Sequence, residues 1–188
     1  MANTWHAHSY SNIASGIPFG SAKNMFTVFN SSSSSRYIRV YRIWIFNNNI
    51  GGVPVAGVLT QIQIKLSNYC SGGTAITPIP HNLGNSALNA NTTVMHGANC
   101  GFPTDNLIRQ FIWSNDKVAI SVQDVPLDID ACECLIPVAQ VWDLGYGDTS
   151  VKPLTFRPSY DEGICVYHPG TSAVGAIDAE TEFTDAAS

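Results

Sequence analysis

Five histidines, His6, His8, His81, His96 and His168, are the side chains of this protein best suited to proton transfer or metal ligation near neutral pH. His6-Ala7-His8 could chelate a metal weakly, but two imidazoles without a third ligand and an orienting second shell make a poor site. His96 and Cys100 lie four apart in a Gly/Asn-rich stretch. A thiol nucleophile there would need an ordered base and an oxyanion hole, and no motif signals either. Asp124, Asp128, Asp130 and Glu133 crowd one segment and could present oxygens to Ca²⁺, although the EF-hand spacing with its central glycine is missing. Dinucleotide, Walker, nucleophile-elbow and His-Glu-x-x-His motifs are absent. The expectation is therefore a protein that is not an enzyme, with no catalytic residue, cofactor or metal, and with calcium at 124–133 as the alternative.

The charges suggest contacts rather than catalysis. No acid precedes Asp105, so Lys23, Arg36, Arg39, Arg42 and Lys65 stand unopposed in residues 1–104, while all fourteen acids follow. Arg36, Arg39 and Arg42 share one strand candidate. Asp178, Glu180 and Glu182 alternate along another, with no base between them. Two readings are open: the halves interleave in one sandwich and neutralise each other, or the basic half of one subunit meets the acidic half of the next. A net charge of -5 and a pI near 5.3 argue against nucleic acid as a partner. Residues 43–64 lack charge, but Asn47, Asn48, Asn49, Gly51, Gly52 and Pro54 interrupt them, which speaks against a membrane span.

These residues must be positioned by strands. Ser, Thr and Asn make up about a quarter of the chain, and period-2 runs recur where helical periodicity does not. Residues 36–46 read as a central strand with Ile38, Val40, Trp44 and Phe46 on one face and Tyr37, Arg39, Tyr41, Ile43 and Ile45 on the other. Residues 60–66 place Thr60, Ile62, Ile64 and Leu66 inward and Gln61, Gln63 and Lys65 toward water. Further strands are expected at 25–29, 92–95, 107–113, 118–122, 135–142, 154–156, 163–167 and 176–183, separated by turn-forming Gly, Pro, Asn and Ser. The expected fold is an all-β antiparallel sandwich, jelly-roll-like. Residues 24–188 form its single domain and residues 1–23 an extended N-terminal arm whose Trp5, Ile17 and Phe19 dock on the same or a neighbouring subunit. The cysteines, Cys70, Cys100, Cys132, Cys134 and Cys165, read as reduced structural thiols, because their number is odd and no Cys-x-x-Cys pair occurs. The N-terminus lacks the pattern of a signal peptide, which suggests synthesis in the cytoplasm.

Several segments in order, 39–48 (RVYRIWIFNN), 57–60 (GVLT), 71–78 (SGGTAITP), 142–148 (WDLGYGD), 153–158 (PLTFRP) and 170–187 (GTSAVGAIDAETEFTDAA), resemble small β-rich proteins encoded among the virion genes of tailed phages. The likeness spans roughly residues 24 to 187. It implies a virion structural protein made in the host cytoplasm, chiefly an auxiliary capsid (decoration or cement) protein. Its partners would be further copies of itself, as a trimer by analogy, and a major capsid protein. The alternatives are a tail, neck or fibre component, a major coat or filament subunit, and a carbohydrate-binding module.

Overall fold

The computed structural model describes residues 2–9, 16–47, 59–114, 139–143, 153–170 and 176–187. Among the described residues, fifteen strands form two antiparallel sheets and a small ribbon. Sheet A runs in the order β12 (Ala139–Asp143), β4 (Arg36–Asn47), β15 (Ala176–Ala187), β1 (Asn3–His8) and β8 (Ile79–Pro80), with β13 (Leu154–Phe156) also on β4 and β2 (Ile17–Pro18) also on β15. Sheet B runs β11 (Leu107–Ser114), β5 (Leu59–Ser67), β14 (Glu162–His168), β3 (Lys23–Asn30), β9 (Thr92–His96) and β7 (Thr74–Ile76), and β6 (Tyr69–Ser71) pairs with β10 (Asn99–Gly101) as the ribbon. The all-β antiparallel sandwich expected from period 2 is what forms.

The core lies between the sheets. Trp5, Ala7, Ile38, Val40, Ile43, Ile45, Ile177, Ala179 and Phe183 of sheet A meet Phe26, Val28, Ile62, Ile64, Ile164, Val166, Val94 and Ile76 of sheet B. These are the β-branched and aromatic types that suit a pleated, half-buried surface, and each fully buried large side chain contributes on the order of 1.5–3 kcal/mol.

Two face assignments change. In β4 the buried set is Ile38, Val40, Ile43 and Ile45, while Tyr41, Arg42, Trp44 and Phe46 are partly exposed. The cause is an irregularity in the ladder: Glu182 pairs with Arg42 and the next residue, Phe183, with Val40, leaving Tyr41 as an extra residue. Such a bulge reverses the alternation beyond it, so Trp44 and Phe46 turn outward. In β5 Ile62 and Ile64 are buried as expected, but Leu66 is exposed and Ser67 is buried.

The N-terminal residues do not form an arm outside the domain. Strand β1 lies inside sheet A, paired from Asn3 to His8 with β15 on one side and with β8 on the other. Its alternation places Trp5, Ala7 and Ser9 inward, and Ile17 and Phe19 are buried as well. The backbone carbonyl of Gly20 accepts a bond from Nδ1 of the buried His168, and Phe19 packs on the same ring. The three anchors thus dock within their own subunit.

Candidate interaction surface on the outer face of sheet A

The β1–β15–β4 ladder sets opposite charges side by side. His6 is in register with Glu182 and His8 with Glu180. On the other flank of β15, Arg42 is in register with Glu182, Trp44 with Glu180 and Phe46 with Asp178. Alternate residues of adjacent strands share a face, so the acidic row sits between imidazoles and a guanidinium. The bases missing from β15's own sequence come from its neighbours.

The geometry follows from that register. His6 Nε2 lies 3.0 Å from Glu180 Oε1. Arg42 reaches Glu182 Oε2 at 3.9 Å, and His81 Nδ1, carried in by the loop after β8, is 4.0 Å from Glu182 Oε1. Ser9 donates its hydroxyl to Asp178 Oδ1 at 3.0 Å and accepts the Ala179 N–H. The rings of His6 and His8 are 5.5 Å apart, and those of His6 and His81 6.2 Å. Glu182 is only 6% exposed although it points away from the core, and Arg42 also lies over the Trp44 ring at 5.6 Å. Burial, and then the neighbouring His81, lower the His6 pKa against an opposing pull from Glu182. Burial raises the Glu180 pKa, with His8 lowering and Glu182 raising it further.

The other sequence candidates fall elsewhere. Arg36 pairs with the buried Asp185 at 3.7 Å, and Arg39 lies over the Tyr37 ring at 5.9 Å. Interleaving of the basic and acidic halves within one sandwich is thus realised at Arg36–Asp185 and Arg42–Glu182. His96 remains on β9, its pKa lowered first by burial and then by Lys23. Its neighbour Cys100 is bonded to Cys70 and offers no free thiol. The 124–133 acidic segment, Cys132 and Cys134 lie outside the described residues. Among the described residues no group of three or more His, Cys, Asp or Glu is arranged to hold a metal ion.

That Cys70–Cys100 bond corrects the reading of all five cysteines as reduced. The two residues are direct register partners in the β6–β10 ribbon, a pairing that a count of cysteines and a search for close spacings cannot reveal. The ribbon covers an apolar patch on the outer face of sheet B formed by Phe29, Met95, Ala98, Cys100 and Cys165, with Phe102 and Tyr167 at its margin. Lys65 Nζ caps it, 4.3 Å from the Tyr167 ring centre and 4.7 Å from that of Phe102. Cys165 remains a free, buried thiol, its pKa pushed up to about 12 chiefly by that burial.

Sequence reasoning named His81 as a candidate but did not bring it to His6 and Glu182, because nothing local places a histidine from a Gly/Asn-rich loop beside β1. It read His6 and His8 as a weak chelating pair on an extended N-terminal arm rather than as one face of a paired strand. The alternation of Trp5, Ala7 and Ser9 against His6 and His8 was the available signal.

No protein-family profile, curated protein or solved structure matches this chain.

Proposed function

We propose that this protein is a non-enzymatic structural subunit of a virus particle, chiefly an auxiliary capsid protein that binds the head shell and other copies of itself, as a trimer by analogy. The observation that carries the reading is the outer face of sheet A. There Trp44 and Phe46 are turned out by the β4 bulge, beside carboxylates already matched by His6, His81 and Arg42. A face whose carboxylates already have hydrogen-bond or ion-pair partners in its own plane can be covered with a smaller desolvation penalty than one of unpartnered charges, and outward aromatic residues supply contact area.

Two further features support the same reading. The main strand order β12-β4-β15-β1-β8 over β11-β5-β14-β3-β9, with the chain crossing repeatedly between sheets, fits a jelly-roll-like subunit, an architecture suited to shells. The Cys70–Cys100 bond fits a protein that is made in the host cytoplasm and then meets oxidising surroundings on a particle surface.

The test is peptide mass spectrometry of gradient-purified particles of the virus encoding this chain, with antibody labelling under the electron microscope. A stoichiometric presence on intact heads is the expected result. Absence from purified particles would refute the reading, and labelling confined to tails would move the protein to that structure.

A further inference from the structure

The turn that leads into β3 and the turn between β9 and β10 enclose a cleft of about 280 Å³, lined by residues 21–24 and 97–99. It shares no residue with sheet A. Its walls are tied to each other and to the sheet behind them: the Asn24 side-chain amide donates to the Ala98 carbonyl at 2.9 Å, and the Gly97 N–H to the Met25 carbonyl at 3.2 Å. The Ala22 N–H is held by the Gly170 carbonyl at 3.0 Å. Ala22 and Gly97 both have positive φ, 46° and 65°, and a non-glycine residue kept in that region is a form of backbone strain that gathers at ligand clamps. The cleft is thus shaped by the fold itself, as small-ligand sites usually are.

Its chemistry is one-sided. Lys23 Nζ donates to the Pro18 carbonyl at 2.6 Å, which leaves two of the three ammonium protons to bond elsewhere. Among the described residues no carboxylate pairs with this ammonium, although burial already disfavours its charge. His96, which precedes Gly97, has an Nε2 buried without a hydrogen-bond partner, and its pKa, lowered first by burial, is lowered further by Lys23. The exposed Ser21 and Asn99 line the cleft, and among the described residues their side chains have no hydrogen-bond partner. A corner with two basic groups, two unengaged polar side chains and no acid lacks an anion.

We propose that this cleft binds a small ligand carrying one oxyanion on a hydroxyl-bearing body, the chemistry shared by sugar acids and sugar phosphates. Lys23 takes the oxyanion, and the Ser21 hydroxyl and Asn99 carboxamide take neighbouring hydroxyl groups. The volume sets the size: pockets for larger ligands span roughly 300–1,000 Å³, so this cleft accepts a single sugar residue. A hydroxyl-bearing body fits better than an apolar one, because the lining offers polar side chains and backbone rather than rings or aliphatic chains. The inference stands apart from the contact face on sheet A and holds whether or not that face meets a shell.

Amide-resolved NMR titration of the full chain at low ionic strength tests it, with glucuronate, glucose-6-phosphate, inorganic phosphate and glucose as the four ligands. At least one of the two sugar anions should move the signals of Lys23, Gly97 and Asn99 with half-saturation at or below about 5 mM, roughly what a ligand of this size reaches. The tighter of the two identifies the anionic group. Inorganic phosphate and glucose each carry half of the recognised chemistry and should bind at least about fivefold more weakly than that ligand. Lys23→Met keeps most of the stem that lies against Gly20 and should weaken the sugar anion at least about tenfold with the thermal transition in place. Asn99→Ala should weaken it about threefold and leave inorganic phosphate unchanged. The proposal is overturned if neither sugar anion gives a saturable shift, if glucose or inorganic phosphate binds as tightly as the better sugar anion, or if a folded Lys23→Met binds like the wild type.

Discussion

On the outer face of sheet A the carboxylates find hydrogen-bond and ion-pair partners in the plane of the sheet, whereas the outer face of sheet B carries an apolar patch under a separate, disulfide-closed ribbon. The first arrangement depends on register: β15 brings the acids, β1 and β4 bring the bases, and a bulge turns Trp44 outward beside them. The second depends on a covalent link between residues 70 and 100 that holds a small second core over Phe29, Met95 and Cys165. One face therefore pairs its carboxylates with neighbouring strands, and the other buries an apolar patch under the ribbon. The difference shows how a chain with only 12% charged residues can pair charges across the outer face of one sheet and seal the outer face of the other with apolar packing.

Removing residues 2–8 is the most severe way to break this arrangement. Strand β1 has partners on both sides, and its loss would open sheet A and expose the core beside Phe183. The truncated chain is expected to lose its cooperative thermal transition in circular dichroism, where an arm outside the fold would leave that transition in place. Breaking the ribbon comes next. A sequence separation of 30 corresponds to about 3–4 kcal/mol of stabilisation in the chain-entropy account, so Cys70→Ser/Cys100→Ser should lose roughly that much in urea unfolding. The new exchange should gather around Phe29 and Tyr167 rather than around β1.

Smaller effects sharpen the picture of sheet A. Arg42→Ala withdraws a guanidinium from the nearly buried Glu182 and should cost about 1–3 kcal/mol by chemical denaturation. Lys65→Ala, which removes the cap between two rings on sheet B, should cost about 1 kcal/mol or less. The pH dependence is smaller still because two contributions oppose each other. His6 has a lowered pKa in the fold, so its share of stability is present above pH 6.5 and is lost as the pH falls through the folded value. Glu180 has a raised pKa, so its share is present below pH 4.5 and is lost as the pH rises through the folded value. Replacing His6 by Gln should accordingly flatten the decline in melting temperature between pH 7 and 5.5.

The inner layer of this molecule was largely legible. Strand 154–156 was placed to the residue, and the central parts of β3, β4, β5, β9 and β14 were found because alternating apolar residues must face a core. What failed was every feature decided by a distant partner. The Tyr41 bulge depends on how β15 pairs with β4, and it moved Ile43 and Ile45 inward against a strict alternation. The short strands β6, β7, β8 and β10, of two or three residues each, carry too few side chains for any periodicity. Their Gly, Pro and Ser content reads as turn. Within the candidate surface, the acidic row 178–182 was visible, but its partners His6, His81 and Arg42 come from three other places in the chain and meet it only through the sheet.

The account rests most directly on the outer face of sheet A being the contact surface, and native mass spectrometry of three proteins examines it: the wild type, Trp44→Ala on that face, and Tyr69→Ala on the exposed side of the sheet B ribbon. The wild type and Tyr69→Ala should share one oligomeric mass, and Trp44→Ala should dissociate at least about tenfold more readily, as expected for an interface aromatic worth upwards of 1.4 kcal/mol. A monomeric wild type at all concentrations, or an oligomer that Tyr69→Ala dissolves and Trp44→Ala leaves intact, would contradict it.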